Sequence, residues 1–200
     1  ILVDEQQIAS PDPVDLRDAV GDFVEWAQER AMLVPGELPE EALLFDDFSY
    51  YYGNVVNGGH AQFIGNATSR YGELDPAMLA RLLDAAGARE HHGVFRDFVA
   101  FIDATPEPER RALSNDDLEE FNSRFFGAKE DEDTPWERVR LWLAGLPVLR
   151  KLPEDALEAE RAAIIAANPL REARLAAAEA EQAEAQARDP VISAIRLLSP

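Results

Sequence analysis

Five carboxylates near the start of the chain are spaced so that they could bind a positively charged partner. Successive members lie three or four residues apart, which places them all on one face of a helix. We call them the acidic row: Asp15, Asp18, Asp22, Glu25 and Glu29. The row is about 21 Å long at the helical rise, with one charge every ~5 Å, against one phosphate per about 3.4 Å on each DNA strand. This spacing predicts binding to a basic surface that accepts DNA. The alternative is an ordinary solvated face opposite the apolar side of the helix.

Further acidic residues follow the acidic row and predict a larger negative surface. Two pairs lie in the next apolar segment, and a run of consecutive acids lies beyond the middle of the chain. They are Glu40, Glu41, Asp46 and Asp47, and then Glu130, Asp131, Glu132 and Asp133. Whether they share one side of the molecule depends on the fold.

The net charge of the chain restricts its classes of partner. Acidic residues number 39 and basic residues 19, which gives a formal charge of −20. Residues 1–50 hold 13 acidic and 2 basic side chains, so the excess is concentrated there. Because such a surface repels phosphates, we expect a basic DNA-binding protein as partner, and neither nucleic acid nor a membrane. Adaptation to high salt is an alternative, although it would spread acidity more evenly.

A second segment that could hold a small site begins at Asn57. The two glycines of Asn57–Gly59 predict that one helix ends there and that another begins at about Gly59. Gln62 and Asn66 then share a helical face, so their carboxamides could bond to each other or to the freed backbone groups of Asn57–Gly59. This pattern favours a structural polar staple. His60 supplies the alternative, a small hydrolase or metal-dependent enzyme with its site at the helix break.

No catalytic constellation is complete in the sequence. There is no cysteine, and the adjacent His91 and His92 cannot share one helical face to bind a metal. The nucleophile elbow, phosphate-binding and dinucleotide fingerprints are absent. Pairs of carboxylates are too abundant to identify an acid–base dyad. We therefore predict a non-enzymatic binding protein without cofactor or metal.

Apolar residues recur at helical spacing almost throughout the chain. Pro13 after Asp12, Pro76 after Asp75, and the capping-box patterns Ser114–Asp117 and Thr134–Glu137 mark helix starts. No run of alternating β-branched residues interrupts this pattern. The sequence predicts an all-α fold, a single multi-helix domain over residues 1–168.

The C-terminal residues 169–200 differ in composition from the rest. Ala, Glu, Gln and Arg dominate from Pro169 to Asp189, and Pro190 follows. These residues favour helix but offer little to bury. We predict an additional Ala/Glu-rich helix that packs on the domain or on a second copy of the chain, with a disordered tail as the alternative.

Residues on both sides of the glycine pair resemble those of a known family. They are Tyr50, Tyr51, Tyr52, Val56, Asn57, Gly58, Gly59, Gln62, Phe63 and Asn66, then the run 82–88 and, more loosely, Leu118–Phe121 with Phe125 and Phe126. Over about residues 41–126 the chain resembles the DNA-mimic-protein domain family. The resemblance implies an all-α fold, an acidic homodimer, and a negative surface that imitates duplex DNA and occupies a DNA-binding regulator. His60 stands where an aromatic or other apolar residue is expected, and the C-terminal tail is additional.

The start of the chain bears on its location. It reads Ile1-Leu2-Val3-Asp4-Glu5, without a visible signal peptide. No apolar run reaches the ~20 residues that span a bilayer. We expect a cytoplasmic protein, from which an upstream segment could be missing because residue 1 is not Met.

Overall fold

A computed structural model describes residues 1–6, 13–70, 76–128 and 134–188, and these residues are mostly helical. The helices are α1 (Pro13–Glu29), α2 (Glu40–Arg70), α3 (Pro76–Ala85), α4 (Arg89–Ala104), α5 (Glu107–Arg110), α6 (Glu119–Gly127), α7 (Pro135–Ala144), α8 (Glu154–Ala167) and α9 (Arg171–Arg188). The predicted all-α class is confirmed.

Two short strands are present that the sequence pattern did not predict. β1 (Leu2–Asp4) and β2 (Arg150–Leu152) pair in parallel, with Val3 opposite Lys151. Three-residue strands are too short to show an alternating pattern, and each pairs with a segment that is distant in the sequence. The pair joins the N-terminal segment to the segment before α8.

The core is built around the first half of α2. Its inner face carries Phe45, Phe48, Tyr51 and Val55, none more than 1% exposed. The Tyr51 ring meets Phe95 of α4 edge-on, at 4.9 Å between ring centroids. Edge-to-face pairs of this kind add about 0.5–1.5 kcal/mol to the burial itself. The aromatic residues of α2 therefore hold the helices together at the centre of the molecule.

The capping pattern Thr134–Glu137 marks the start of α7, whereas Ser114–Asp117 closes the turn that precedes α6, whose own N-cap, Leu118, makes no side-chain cap bond. Thr134 Oγ1 accepts a hydrogen bond from the Glu137 backbone N–H at 3.2 Å, at the start of α7. The Ser114 N–H donates to Asp117 Oδ2 at 2.9 Å, and the Asp117 N–H donates to Ser114 Oγ at 3.3 Å. These two bonds form a reciprocal cap just before α6. Asp12, the predicted cap of α1, lies outside the described residues.

The predicted C-terminal helix is present as α9, and α8 ends at Ala167, next to Asn168-Pro169 as the sequence predicts. Residues 189–200, including Pro190, lie outside the described part. The division into domains at residue 168 stays a prediction.

We expect Thr134→Ala to lower the free energy of unfolding by about 1 kcal/mol, because the Glu137 N–H loses its cap. Thr134→Ser keeps a hydroxyl and is the matched control. Urea denaturation followed by circular dichroism measures both. Equal stability of the Ala and Ser variants would show that the cap does not stabilise the protein.

Candidate functional site

The acidic row lies on the outer face of α1. The opposite face is buried: Leu16, Val20 and Phe23 are at most 4% exposed. This burial turns the row outward, so Asp18, Asp22, Glu25 and Glu29 are exposed and Asp15 is half-buried. The helical spacing read from the sequence therefore places the five carboxylates on one face of the folded protein.

The row borders a groove of about 830 Å³ between α1 and the first turns of α2. All five members line it, together with Asp46 and Ser49 of α2. Six carboxylates thus surround one concave surface. Of the described lining residues, Arg17 alone is basic.

Arg17 only partly offsets this charge. Its guanidinium contacts Asp18 at 2.7 Å and lies 5.5 Å from the centre of the Trp136 ring. A cation over an aromatic face is attracted by the ring electrons. One cation among six carboxylates leaves the groove strongly negative.

The other predicted acidic residues are divided by the fold. Asp46 joins the groove, whereas Glu40, Glu41 and Asp47 are not among its lining residues. Glu40 forms a surface ion pair with Arg81 at 2.7 Å. Residues 130–133 lie outside the described part of the chain. The groove therefore holds one part of the predicted set of acids, and the wider acidic surface stays a prediction.

The second predicted feature, the break in α2, is present at the two glycines. Gly58 (φ −159°) and Gly59 (φ 72°) leave helical geometry within the span of α2. Asparagines from the segment around α6 satisfy the freed backbone groups. Asn115 Nδ2 donates to the Gly58 carbonyl at 3.0 Å, and the His60 N–H donates to Asn122 Oδ1 at 2.9 Å.

A β-carbon at either glycine would overlap a neighbouring side chain, and the positive φ of Gly59 also favours glycine. A β-carbon on Gly58 would collide with the Gln62 side chain, and one on Gly59 with the Asn115 carboxamide oxygen. The positive φ of Gly59 is strained for any residue with a side chain. The two glycines of the motif are thus explained by their packing against Gln62 and Asn115.

The carboxamides of Gln62 and Asn66 meet at a third carboxamide, that of Asn54. Both donate to Asn54 Oδ1, from Asn66 at 2.6 Å and from Gln62 at 3.4 Å. Asn54 in turn donates to the Tyr50 carbonyl at 2.7 Å. Asn54 is 7% exposed on the same helix. The backbone groups at the break are satisfied instead by Asn115, which precedes α6, and by Asn122 of α6.

His60 is fully buried, at 0% exposure, and its ring centroid lies 4.5 Å from that of Phe98. Asn122 Oδ1 can only accept, so His60 Nδ1–H donates to it at 2.8 Å. Nε2 then accepts from the Tyr51 hydroxyl at 3.1 Å. Burial lowers the pKa of His60 to about 4. Both ring nitrogens are used inside a closed aromatic cluster, which does not favour the hydrolase interpretation.

Three important asparagines were missed by the sequence reasoning. Asn122 carried a signal, because it lies four residues after buried Leu118 and three before buried Phe125. A polar residue in a core stripe indicates a buried hydrogen bond. Asn54 lies on the same face as Tyr50, and Asn115 carried no comparable signal.

Two kinds of feature are absent from the described part of the chain. In the described ranges, no group of three or more His, Cys, Asp or Glu side chains is arranged to hold a metal ion. Within those ranges, too, no helix combines the length and the apolar character that crossing a membrane requires.

We expect Gly59→Ala to lower the free energy of unfolding by about 2 kcal/mol or more, because it adds backbone strain to the collision with Asn115. Gly53→Ala is the matched control: it lies in the regular part of α2, where an added β-carbon meets nothing within 4 Å. The control should be neutral or stabilising in urea denaturation. A Gly59 variant as stable as the control would contradict the proposed role of the motif.

We expect His60 to destabilise the protein as the pH falls. Its pKa is about 4 when folded and near 6.5 when unfolded, so only the unfolded chain takes up the proton between these values. Stability should fall from about pH 6.5 to pH 4, by about 3 kcal/mol in total. The difference between wild type and His60→Gln isolates this contribution from the carboxylates. A His60 NMR titration near pH 6.5 would contradict the assignment.

Comparison with known proteins places the chain in a family. The model of the DMP19-like protein matches residues 36–146, a range that contains the region 41–126 where the resemblance was expected. No curated protein and no solved structure matches the chain. The match includes Asp46 and the break in α2, whereas α1, α8 and α9 lie outside it. The chain thus belongs to the DMP19-like family of DNA-mimic proteins that its Asn57–Gly59 motif indicates.

Proposed function

We propose that this protein is a non-enzymatic acidic binding protein that imitates duplex DNA and sequesters a basic DNA-binding protein, such as a transcriptional regulator. The observation that carries the proposal is the groove beside α1, where the acidic row and Asp46 meet. Membership of the DMP19-like family supports the same role.

The geometry of the row supports mimicry in particular. Its charges follow one another along a rigid helix every ~5 Å, which approaches the phosphate spacing of about 3.4 Å along a DNA strand. A groove that binds DNA presents Arg and Lys side chains at intervals fitted to phosphates. A helix with carboxylates at similar intervals can be accepted by the same side chains.

The charge distribution also predicts how binding depends on salt. Exposed charges act over about 8 Å at physiological ionic strength. Attraction of a basic partner should therefore be strong at low salt and fall steeply as salt is added. Electrostatic steering would mainly raise the rate of association.

Two further parts of the proposal concern the state of the protein in the cell. We infer that it acts in the cytoplasm. We also infer that two copies associate, and this second inference follows from the family resemblance. Neither the enzyme alternative nor adaptation to high salt gains a specific supporting observation. The closed packing of His60 and the clustering of charge in one groove both favour the binding protein.

The test removes charge from the row and leaves the fold in place. D15N/D18N/D22N/E25Q removes four charges from the groove. D84N/D103N/D116N/E109Q removes the same number and kinds of charge from exposed positions elsewhere. Each is used as bait, beside wild type, for DNA-binding proteins in lysate of the source organism at low salt.

We expect wild type and the control variant to retain the same DNA-binding protein, and the row variant to lose it. Circular dichroism must show equal helix content in all three baits. Retention of that protein by the row variant at wild-type level would remove the acidic row from the account.

A further inference from the structure

We propose that Arg171 and Arg174 of α9 are positioning residues for the acidic row, which they hold in the geometry a basic partner recognises. This inference rests on the proposed function. It assigns a role in the acidic binding site to two basic residues. It gives the C-terminal segment, which lies outside the family match, a role in binding.

The first observation is a set of hydrogen bonds at the C-terminal end of α1. Three consecutive carbonyls just beyond Glu29 accept from Asn168 and from the first turn of α9: Arg30 from Arg171 Nε at 2.8 Å, Ala31 from Asn168 Nδ2 at 2.7 Å, and Met32 from Arg174 at 2.8 Å. We call these three contacts the clasp. A helix leaves its last carbonyls without helical partners, and here a distant part of the chain satisfies carbonyls just beyond that end.

The second observation concerns the charge at this end of α1. Its last turn contains no basic residue, and Glu29 lies there. The C-terminus of a helix carries partial negative charge, which cations stabilise and acids destabilise. Backbone N–H groups of the following turn already satisfy the Trp26 and Ala27 carbonyls. What Arg171 and Arg174 add at this end is positive charge.

The third observation is the backbone that follows α1. Met32 has a positive φ of 55°, which is uncommon for a residue with a side chain. Arg174 donates to its carbonyl and also forms a two-pronged ion pair with Glu37, at 2.6 and 3.1 Å. One guanidinium thus fixes the turn that connects α1 to the segment before α2.

A contact further along α1 supports the clasp. The guanidinium of Arg161, from α8, lies 5.2 Å from the centre of the Trp26 ring. Residues of α8, of α9 and of the link between them therefore contact α1 at two places, which are the ring of Trp26 and the carbonyls that follow Glu29. Since α2 forms the other wall of the groove, the angle of α1 sets the position of the row relative to Asp46.

The proposal predicts weaker recognition of a basic partner when these arginines are removed. An effect of net charge alone predicts the opposite, so the two can be distinguished. Removal of two arginines makes the protein more acidic and should strengthen binding to any basic partner. R171A/R174A is the test variant. R81A/R96A is the control, since it removes two arginines that pair with the surface carboxylates of Glu40 and Asp97.

The probe is a synthetic helical peptide that presents arginines at alternating three- and four-residue intervals, beside a scrambled peptide of the same composition. Fluorescence anisotropy at low salt gives the ratio of the two affinities, which reports geometry and not total charge. We expect wild type and R81A/R96A to prefer the spaced peptide. For R171A/R174A the ratio of the two affinities should be about fivefold lower than for wild type, which is the size of effect expected from two cations at a helix end.

An unchanged preference in R171A/R174A would overturn the proposal. The row variant D15N/D18N/D22N/E25Q is measured in the same assay, so that the two proposals can fail separately. If the row variant loses the preference and R171A/R174A keeps it, only the role of the clasp is wrong. If wild type shows no preference, the acidic row is not read by its spacing and both fail.

Amide hydrogen exchange supplies a measurement that needs no peptide. We expect faster exchange in R171A/R174A at residues 25–33 and wild-type rates around the break in α2. If the double variant loses helix content by circular dichroism, R171A alone is judged by the same exchange criterion. Wild-type exchange at residues 25–33 would overturn the proposal.

Discussion

The burial of one face of α1 is the interaction on which the candidate site depends. Like charges at three- and four-residue spacing cost a helix about 0.2–0.5 kcal/mol per pair, so the four successive pairs of the acidic row cost roughly 1–2 kcal/mol. Burial of a large apolar side chain contributes about 1.5–3 kcal/mol, and Leu16, Val20 and Phe23 are all buried on the opposite face. Apolar packing therefore exceeds the repulsion and lets the protein keep a row of charges on a rigid helix.

The break in α2 solves a different problem, which is how a long helix turns inside the core without unsatisfied backbone groups. Two asparagines satisfy the groups that the break frees, and the ring of His60 links one of them to Tyr51. These bonds connect α2 to α6 within an aromatic cluster. The motif typical of the family thus supports the core, while the charge on α1 lies beside it.

Features set by neighbouring residues could be predicted from the sequence, and features set by distant residues could not. The acidic row, the cap at Thr134 and the glycine break depend on spacings of a few residues. By contrast, Asn122 lies 62 positions from His60, and Arg174 lies 142 positions from Met32. The parallel strands likewise pair residues 2–4 with residues 150–152, which are distant in the sequence. Helical periodicity indicated the acidic row. Only the fold could show which of the other predicted acids line the same groove, as Asp46 does and Glu40 does not.

Competition with DNA tests the central claim most directly. The DNA-binding protein that wild type retains is first bound to a labelled duplex. The acidic protein is then titrated in at fixed low salt. The account predicts that the duplex is released as the acidic protein binds, and that excess duplex reverses the exchange. A stable ternary complex, with the duplex still bound at saturation, would contradict mimicry even if the acidic protein binds tightly.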